Sequence, residues 1–260
     1  MAIQSTIEWT DSTWNPVRGC SKVSPGCVNC YAEAFTNRFR GVPGHPFEQG
    51  FKLKIVPHML NLPFKWKKGR LIFVNSMSDL FHKEIPLEYI KECCEVMRTA
   101  DHHIFQVLTK RADRMAELLS GPLSEYASLS NVFWGVTVEN IQHGIPRIKT
   151  LQETPIKNRF LSIEPLLEDL GVLNLAGIHW IIVGGESGPR SRPIKAAWVD
   201  SIRLQSESNN IPFLFKQWGG KDKKANGRIL NGRVYDSYPM IVDVLLGRVS
   251  HGKGNRKMVG

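Results

Sequence analysis

The sequence lacks the features of membrane-spanning and secreted proteins. No stretch approaches the ~18 consecutive apolar residues that a membrane-spanning helix needs. The first residues, MAIQSTIEWTDSTW, have neither the basic start nor the apolar run of a signal peptide. We therefore expect a cytoplasmic protein.

Cysteine is scarce, and its distribution is unlike that of a disulfide framework. Of the five cysteines, Cys20, Cys27 and Cys30 lie close together and Cys93 and Cys94 are adjacent. In a reducing compartment, clustered cysteines are more often metal ligands or catalytic groups than disulfides. We interpret Cys93 and Cys94 differently, as small buried residues of an amphipathic helix.

The chain also has no internal repeat and no low-complexity tract, but it does have short apolar runs separated by helix-like segments. The runs cover residues 71–74, 104–108, 132–138, 160–163, 180–183 and 212–215. The predicted helices cover residues 86–100, 112–119, 145–151 and 196–208. This alternation predicts βαβ units around a parallel sheet that is covered on both faces.

The number of strands predicts an incomplete barrel. With a short strand near residues 13–19, the count reaches about seven, too few for an eight-fold barrel. We predict an α/β fold, a partial (βα)6 TIM-like barrel, over residues 1–218, with an inserted loop region at 41–69. Residues 219–260 are predicted to form a basic C-terminal extension, with an Asn-Gly hairpin at 228–236.

The formal charge of +10 at pH 7 is unevenly distributed. Residues 52–70 contain six Lys and Arg and no acid, and residues 221–260 contain nine against three Asp. Such patches favour phosphate-bearing partners, so we expect DNA or RNA, although simple solubility is the alternative. Trp66 would stack on a base or pack within its loop. The candidate nucleic-acid residues are Lys65, Trp66, Lys67, Lys68, Arg70, Lys221, Lys223 and Lys224.

The most specific motif is the cysteine cluster, GCSKVSPGCVNCY. Thiolates are soft ligands that suit zinc or an iron–sulfur centre. A structural zinc normally has four protein ligands, and the nearest histidines, His45 and His58, are distant in sequence. Three cysteines instead fit a 4Fe–4S cluster that leaves one iron open for a small molecule. Zinc and ordinary thiols remain the alternatives.

Several motifs resemble a known family. The segments GCSKVSPGCVNCYAE, FVNSMSDLFH, VLTKR, GVTVEN, LSIEPLL and IVGGESGPRSRP resemble the phage-type three-Cys-motif family. Their order is more distantly similar to radical S-adenosylmethionine enzymes of the spore photoproduct lyase branch. The resemblance implies a partial barrel with the cluster loop after the first strand. The cysteine spacing of that superfamily is C-x3-C-x2-C, whereas here it is C-x6-C-x2-C.

Polar residues and glycines follow five predicted strands at their carboxyl ends, where ligands bind in parallel α/β folds. Each has a structural alternative, such as a helix cap, a solvated charge or a tight turn. A Gly-Gly pair alone is far from a dinucleotide-binding fingerprint. The candidates are Asn75, Ser76, Ser78, Asp79, Lys110, Thr137, Glu139, Glu164, Gly184, Gly185 and Glu186.

The lyase resemblance implies roles for some of these residues. It places Tyr31 near the cofactor, pairs Lys110 with the cofactor carboxylate, and assigns residues 75–79 to its amino group. Ser76 stands where that branch carries a hydrogen-returning cysteine, so Tyr31 or another tyrosine would substitute, or the reaction differs. We predict Tyr31, Glu164 and Glu186 as catalytic residues. The predicted cofactor-binding residues are Tyr31, Asn75, Ser76, Ser78, Asp79, Lys110, Thr137, Glu139, Gly184 and Gly185.

The predicted function is that of a radical enzyme with a 4Fe–4S cluster and S-adenosylmethionine as cofactors. An electron from the reduced cluster would release a 5′-deoxyadenosyl radical, which would take a hydrogen from nucleic acid during repair or base modification. A flavodoxin- or ferredoxin-type donor would supply the electron. The alternatives are a zinc-stabilised nucleic-acid-binding protein without catalysis, and a radical enzyme that acts on a small molecule or peptide.

Overall fold

The computed structural model describes residues 5–247, apart from the side chain of Lys223. The strands are β1 (Ser12–Trp14), β2 (Val17–Arg18), β3 (Lys54–Ile55), β4 (Leu71–Val74), β5 (Ile104–Thr109), β6 (Val132–Thr137), β7 (Asn158–Ile163), β8 (Trp180–Gly184) and β9 (Phe213–Gln217). The helices are α1 (Tyr31–Asn37), α2 (Leu87–Thr99), α3 (Ala112–Ser120), α4 (Ser124–Ala127), α5 (Ile141–Glu153), α6 (Ala196–Ser208), α7 (Lys223–Asn226) and α8 (Met240–Leu245).

Seven strands form one parallel sheet that curls into a half-barrel. Their order, β1-β4-β5-β6-β7-β8-β9, follows the chain, and every neighbouring pair is parallel. Right-handed crossovers in a sequentially ordered sheet put the helices on one face, which becomes the convex face. The predicted α/β class, the six later strands and the long helices are confirmed. The strand predicted near residues 13–19 is instead divided into β1, which joins this sheet, and β2, which does not. Residues 164–179 cross from β7 to β8 without a helix. β2 and β3 form a separate antiparallel pair.

Alternation along the strands separates two apolar clusters. The convex face, including Ile72 and Trp134, packs under the helices, where Cys93 and Cys94 of α2 are fully buried as predicted. The concave face is filled towards the amino ends of the strands by aromatic side chains around Trp9. Polar groups replace them nearer the carboxyl ends: Gln106, Thr137, Ser162 and Lys216. This exchange leaves the concave face polar at the carboxyl edge.

The chain after β9 packs on the half-barrel. The Asn-Gly turn is confirmed, since Asn231 and Gly232 have φ of 49° and 77° and the turn is closed by a single bridge between Leu230 and Arg233. Its arms do not form strands; Asp236 pairs with Leu214 of β9 instead.

Beyond the turn, Trp180 Nε1 donates to the carbonyl of Ser237 at 3.0 Å, and Val242 of α8 joins the concave apolar cluster. The proposed boundary at residue 219 stays a prediction, and residues 248–260 of the extension lie outside the described residues. Between residues 5 and 247, none of the helices combines the length and apolar character required to cross a bilayer.

Candidate cofactor site at the carboxyl edge of the sheet

The three clustered cysteines lie on the loop that joins β1 to α1. Cys30 immediately precedes α1, and all three cysteines are free and partly buried. Gly19, beside Cys20, has φ of 77°, and a Cβ there would lie 2.2 Å from the carbonyl oxygen of Lys52. A glycine is therefore required for the chain to bring Cys20 close to the segment before β3.

Arg111 fastens the loop at Cys20. Its Nη1 lies 3.5 Å from Cys20 Sγ and 2.8 Å from Asp79 Oδ2, and its Nη2 donates to the carbonyl of Ser21 at 3.0 Å. His82 adds a contact of 2.8 Å between Nε2 and Ser21 Oγ. Because His82 Nδ1 accepts from the backbone N–H of Glu84, we assign the ring proton to Nε2, which donates to Ser21.

The second half of the loop is held from β8 and from the segment that follows it. Asn29 donates to Glu186 Oε2 at 2.9 Å and to the carbonyl of Arg190 at 2.8 Å. Arg192 forms an ion pair with Glu186 and donates to the carbonyl of Pro25 at 2.9 Å. Glu186 is therefore engaged in holding the cysteine loop, whereas the sequence analysis proposed it as catalytic.

Glu139 supports the middle of the loop from the end of β6. Its side chain is buried and pairs with Arg147 at 2.5 Å. A Cβ on Gly26 would lie 3.3 Å from this carboxylate, so the loop backbone rests on it. Burial opposes ionisation, but Ser24 and Arg147 outweigh it and lower the pKa of Glu139. The carboxylate is thus held in its ionised form, with its charge balanced by Arg147, against the loop backbone at Gly26.

Burial disfavours the thiolate form of two of the cysteines, Cys20 and Cys30. Burial raises the pKa of Cys20 to about 11, against the opposing effect of Arg111. Burial also raises the pKa of Cys30, although the backbone N–H groups of Glu33 and Ala32 and the charge of Lys110 favour the thiolate. A metal would therefore have to displace protons when it binds.

Lys110 brings an unmatched positive charge to the site. Its Nζ lies 3.4 Å from Thr137 Oγ1, and no carboxylate in the described part of the chain is within ion-pair distance. The ammonium is near enough to Cys30 to lower the pKa of that thiol. A cation in this position can accept an anionic group of a ligand.

Tyr31 links the cysteine loop to the end of β4. Its hydroxyl donates to the carbonyl of Ser76. Burial of the hydroxyl raises the pKa of Tyr31, and Cys30 and Glu164 act in the same direction. The side chain is nonetheless 54% exposed overall, so one part of the ring faces solvent while its hydroxyl is fixed.

Glu164 and Lys216 form an ion pair of 3.0 Å at the same edge. A Cβ on Gly184 would meet Glu164 Oε1 at 2.4 Å, and one on Gly185 would meet the carbonyl oxygen of Trp218 at 2.0 Å. Gly185 is therefore needed for the close backbone packing at this edge, whether or not a cofactor approaches it, whereas a side chain at Gly184 would displace the Glu164 carboxylate.

Two other predicted residues shape the backbone after β1. Asn75, at φ of 58°, accepts from the backbone N–H of Val17 at 3.3 Å, and Ser78 donates to the carbonyl of Val17 at 2.8 Å. The structure thus gathers at one edge the predicted residues Cys20, Cys27, Cys30, Tyr31, Asn75, Ser76, Ser78, Asp79, Lys110, Thr137, Glu139, Glu164, Gly184, Gly185 and Glu186.

The segment from Lys65 to Arg70 lies elsewhere. It precedes β4 and so occupies the amino edge, opposite the cysteine loop, together with Lys67 and Lys68. Trp66 is partly buried there, with the Arg70 guanidinium 5.3 Å from its ring centre. Lys221 and Lys224 instead follow β9 at the carboxyl edge, while the side chain of Lys223 lies outside the described residues.

Sequence reasoning did not identify the residues that hold the loop. The local sequence around Arg111, Arg192 and His82 gives no sign that these residues contact the cysteine loop. Lys216 could have been recognised from the sequence, because it interrupts the apolar strand FLFKQ at a position that alternation assigns to the concave face. A charged residue at such a position calls for a partner, here Glu164.

The donor set can be compared with the two kinds of centre considered for it. Among residues 5–247, no three His, Cys, Asp or Glu side chains group closely enough to hold one metal ion. Structural zinc needs four such converging ligands, whereas a cluster distributes its thiolates over several irons. The loop offers three partly buried thiols, with Arg111 near Cys20 and backbone N–H groups near Cys30, and thiolates are the ligand type that iron–sulfur clusters use.

Comparison with known proteins places the chain in a family without assigning an activity. A family model described as "Protein of unknown function (DUF5131)" matches residues 4–239, so the chain belongs to that family. No curated protein and no solved structure matches it.

Proposed function

We propose that this member of the DUF5131 family is a radical S-adenosylmethionine enzyme that acts on nucleic acid. One observation carries the proposal: three free thiols lie on the loop after the first strand of a sequential parallel half-barrel, next to an unpaired Lys110. The carboxyl edge of such a sheet is where ligands bind. The proposal extends the resemblance to the phage-type three-Cys-motif family and to the spore photoproduct lyase branch.

In this proposal, Cys20, Cys27 and Cys30 hold a 4Fe–4S cluster. When bound, the cluster supplies the electron that cleaves S-adenosylmethionine to a 5′-deoxyadenosyl radical. Lys110 provides a positive charge for the cofactor carboxylate. Tyr31 contributes an exposed ring edge beside Cys30, with its hydroxyl anchored to Ser76.

The loop contacts offer a reason why a longer first spacing is compatible with this chemistry. The C-x6-C segment has three more residues than the usual C-x3-C, and extra length by itself would loosen a ligand loop. Arg111, His82, Arg192 and Glu186 bond to that loop or to the residues that anchor it. These contacts restrict the additional backbone before any metal binds.

Nucleic acid is the proposed substrate class because the chain is strongly basic. The net charge is +10, and Lys221 and Lys224 are exposed at the carboxyl edge. A flavodoxin- or ferredoxin-type protein is the proposed electron donor, and a reducing cytoplasm the proposed location.

The test is anaerobic reconstitution with iron and sulfide, followed by S-adenosylmethionine and dithionite. We expect a brown protein and formation of 5′-deoxyadenosine. A colourless protein that takes up stoichiometric zinc instead would replace the proposal with the zinc-stabilised alternative. A brown, active protein without affinity for nucleic acid would keep the radical chemistry and move the substrate to a small molecule or peptide.

A further inference from the structure

A cluster of aromatic rings lies beside the cysteine loop and takes no part in the cofactor site. It consists of Phe35, Phe39, His45 and Phe47, which we call the aromatic platform. Phe39 and His45 stack with ring centres 3.9 Å apart and planes 13° apart. Phe35 meets Phe39 edge-on at 5.2 Å and Phe47 at 5.7 Å.

The platform is exposed on one side. Phe35 is 43% exposed, and Val42, in the loop that follows, is 43% exposed. Phe35 lies one helical turn after Tyr31 on α1, so both side chains project from the same face of that helix. Phe35 therefore lies on the same face of α1 as Tyr31, whose hydroxyl reaches the cofactor site.

Positive charges that have no acidic partner among the described residues lie on one of these rings and in the segments that carry or adjoin the rings. The Arg18 guanidinium lies 5.1 Å from the ring centre of Phe47. Arg38, Lys52 and Lys54 are exposed, and no described carboxylate lies within ion-pair distance of them. Arg40 is also exposed and bonds to the amide oxygen of Asn37 at 3.0 Å.

The nearby acids leave this charge largely uncompensated. Glu33 is paired with Lys22 at 2.9 Å. Glu48 accepts from the backbone N–H of Gly44 at 3.1 Å and is the remaining acid in the segment. Exposed rings among uncompensated cations are the combination that single-stranded nucleic acids require, because bases stack on rings while phosphates bind the cations.

We propose that the aromatic platform binds a single-stranded segment of nucleic acid and leads it past Tyr31 to the cofactor site. A base stacks on Phe35, and Arg38 and Arg40 bind the adjoining phosphates. The inference deepens the proposed function and rests on it for the chemistry, but the binding surface itself can be tested without a cluster.

The experiment measures fluorescence anisotropy of labelled oligothymidylate and oligouridylate of about 12 nucleotides. It uses the full chain with and without reconstitution. Phe35→Ala should weaken binding about five- to a hundredfold, while Phe35→Trp should retain it. Replacing Arg38 and Arg40 together by Gln should lower the dependence of log K on log salt by about one to two.

Phe64→Ala is the matched control. Phe64 is 45% exposed in the basic 52–70 segment, but it follows β3 on the way to the amino edge. We expect its removal to leave binding unchanged. The proposal is overturned if Phe64→Ala weakens binding and Phe35→Ala does not, or if folded Phe35→Trp binds as poorly as Phe35→Ala.

The two oligonucleotides distinguish DNA from RNA, and anionic lipid vesicles provide a further arm. Loss of vesicle binding in Phe35→Ala, with oligonucleotide binding intact, would identify a lipid surface and reject a nucleic acid. Failure of the proposed function has a different signature. In that case the protein forms no 5′-deoxyadenosine, while the difference between Phe35→Ala and Phe64→Ala persists in the metal-free chain.

Discussion

Two basic, aromatic segments of the chain serve different purposes in the structure. Around Trp66, at the amino edge, the aromatic ring is partly buried and covered by Arg70. On the aromatic platform, at the carboxyl edge, Phe35 projects into solvent, and the nearby cations have no carboxylate within ion-pair distance among residues 5–247. The sequences of the two segments are alike in composition, so position relative to the strand ends is what separates the packed ring from the exposed ring that we propose to bind nucleic acid.

Hydrogen bonds explain why the amino-edge segment is fixed. His103 is fully buried; its Nδ1 accepts from the backbone N–H of Arg70 at 3.1 Å, and its Nε2 donates to the carbonyl of Pro63 at 3.1 Å. His102 Nε2 lies 2.9 Å from the carbonyl oxygen of Trp66. These hydrogen bonds attach the segment before β4 to the start of β5. The ring of Trp66 packs against His103 at the same place.

The largest expected effect is on cluster formation, and it should distinguish a cysteine of the loop from a cysteine buried under the sheet. Cys27→Ala should abolish formation of an intact cluster, because it removes one of three proposed thiolate ligands. Cys93→Ala, on the buried face of α2, should keep the cluster and lose stability only by about 1 kcal/mol. Iron and sulfide analysis with visible absorbance checks both variants. A full cluster in Cys27→Ala would remove the loop from the proposal.

The affinity for S-adenosylmethionine should depend on Lys110 and not on Lys68. Lys110→Met should weaken S-adenosylmethionine binding about ten- to a hundredfold, since a charge-assisted hydrogen bond is worth roughly 1.5–3 kcal/mol. Lys68→Met is the matched control at the amino edge, where no cofactor is expected. Isothermal titration of the reconstituted protein measures both. Equal affinities in the two variants would disconnect Lys110 from the cofactor.

The amino edge should show its structural role in the pH dependence of stability. Burial lowers the pKa of His103 to about 4, below its ordinary value. Between about pH 6.5 and pH 4, the imidazole of His103 is therefore protonated in the unfolded chain and neutral in the folded chain. The contribution of neutral His103 to the free energy of unfolding is complete above this window and is lost as the pH falls through it. The loss is about 2 kcal/mol between pH 7 and pH 5.

Urea denaturation at several pH values measures that loss. His103→Gln keeps the side chain polar and removes the titration, so its stability should depend less steeply on pH. Identical slopes for the two proteins would assign the acid sensitivity to other groups.

The smallest effect is expected from the exposed lysines of the amino edge. Lys67→Gln with Lys68→Gln should change oligonucleotide affinity by less than about twofold, because charges farther than a Debye length from the bound strand are screened. The same anisotropy assay used for the aromatic platform checks this. A loss as large as that of the Arg38 and Arg40 double variant would restore the 65–70 segment as the binding surface.

The framework was predictable because its signals are local. Apolar runs such as LIFV and WIIV mark buried strands regardless of their surroundings, and polar residues after them mark the carboxyl edge. The roles of those polar residues were not predictable, since they depend on what the folded chain brings opposite. The sequence predicts Glu186 as catalytic and Glu139 as cofactor-binding, yet in the structure Arg192 and Arg147 form ion pairs with them.

The attachment of residues 52–70 was hidden for the same reason. Its lysines and Trp66 fit a nucleic-acid pattern, and nothing in the local sequence reveals that His102 and His103, more than thirty residues later, bond to its backbone. The aromatic platform has a similar composition, but its rings come together across a turn-rich stretch without periodicity. Only the folded loop shows that Phe39 stacks on His45.

The contacts of the cysteine loop set an order of events during biosynthesis. The loop is complete once Cys30 has been made, but the side chains that hold it arrive with Arg111, Glu186 and Arg192. A growing chain therefore carries its three thiols without these contacts until Arg192 has emerged from the ribosome. In the proposed enzyme, iron would then be loaded only after this part of the chain has folded, and a product ending before Arg192 would lack the contacts to Asn29 and Pro25.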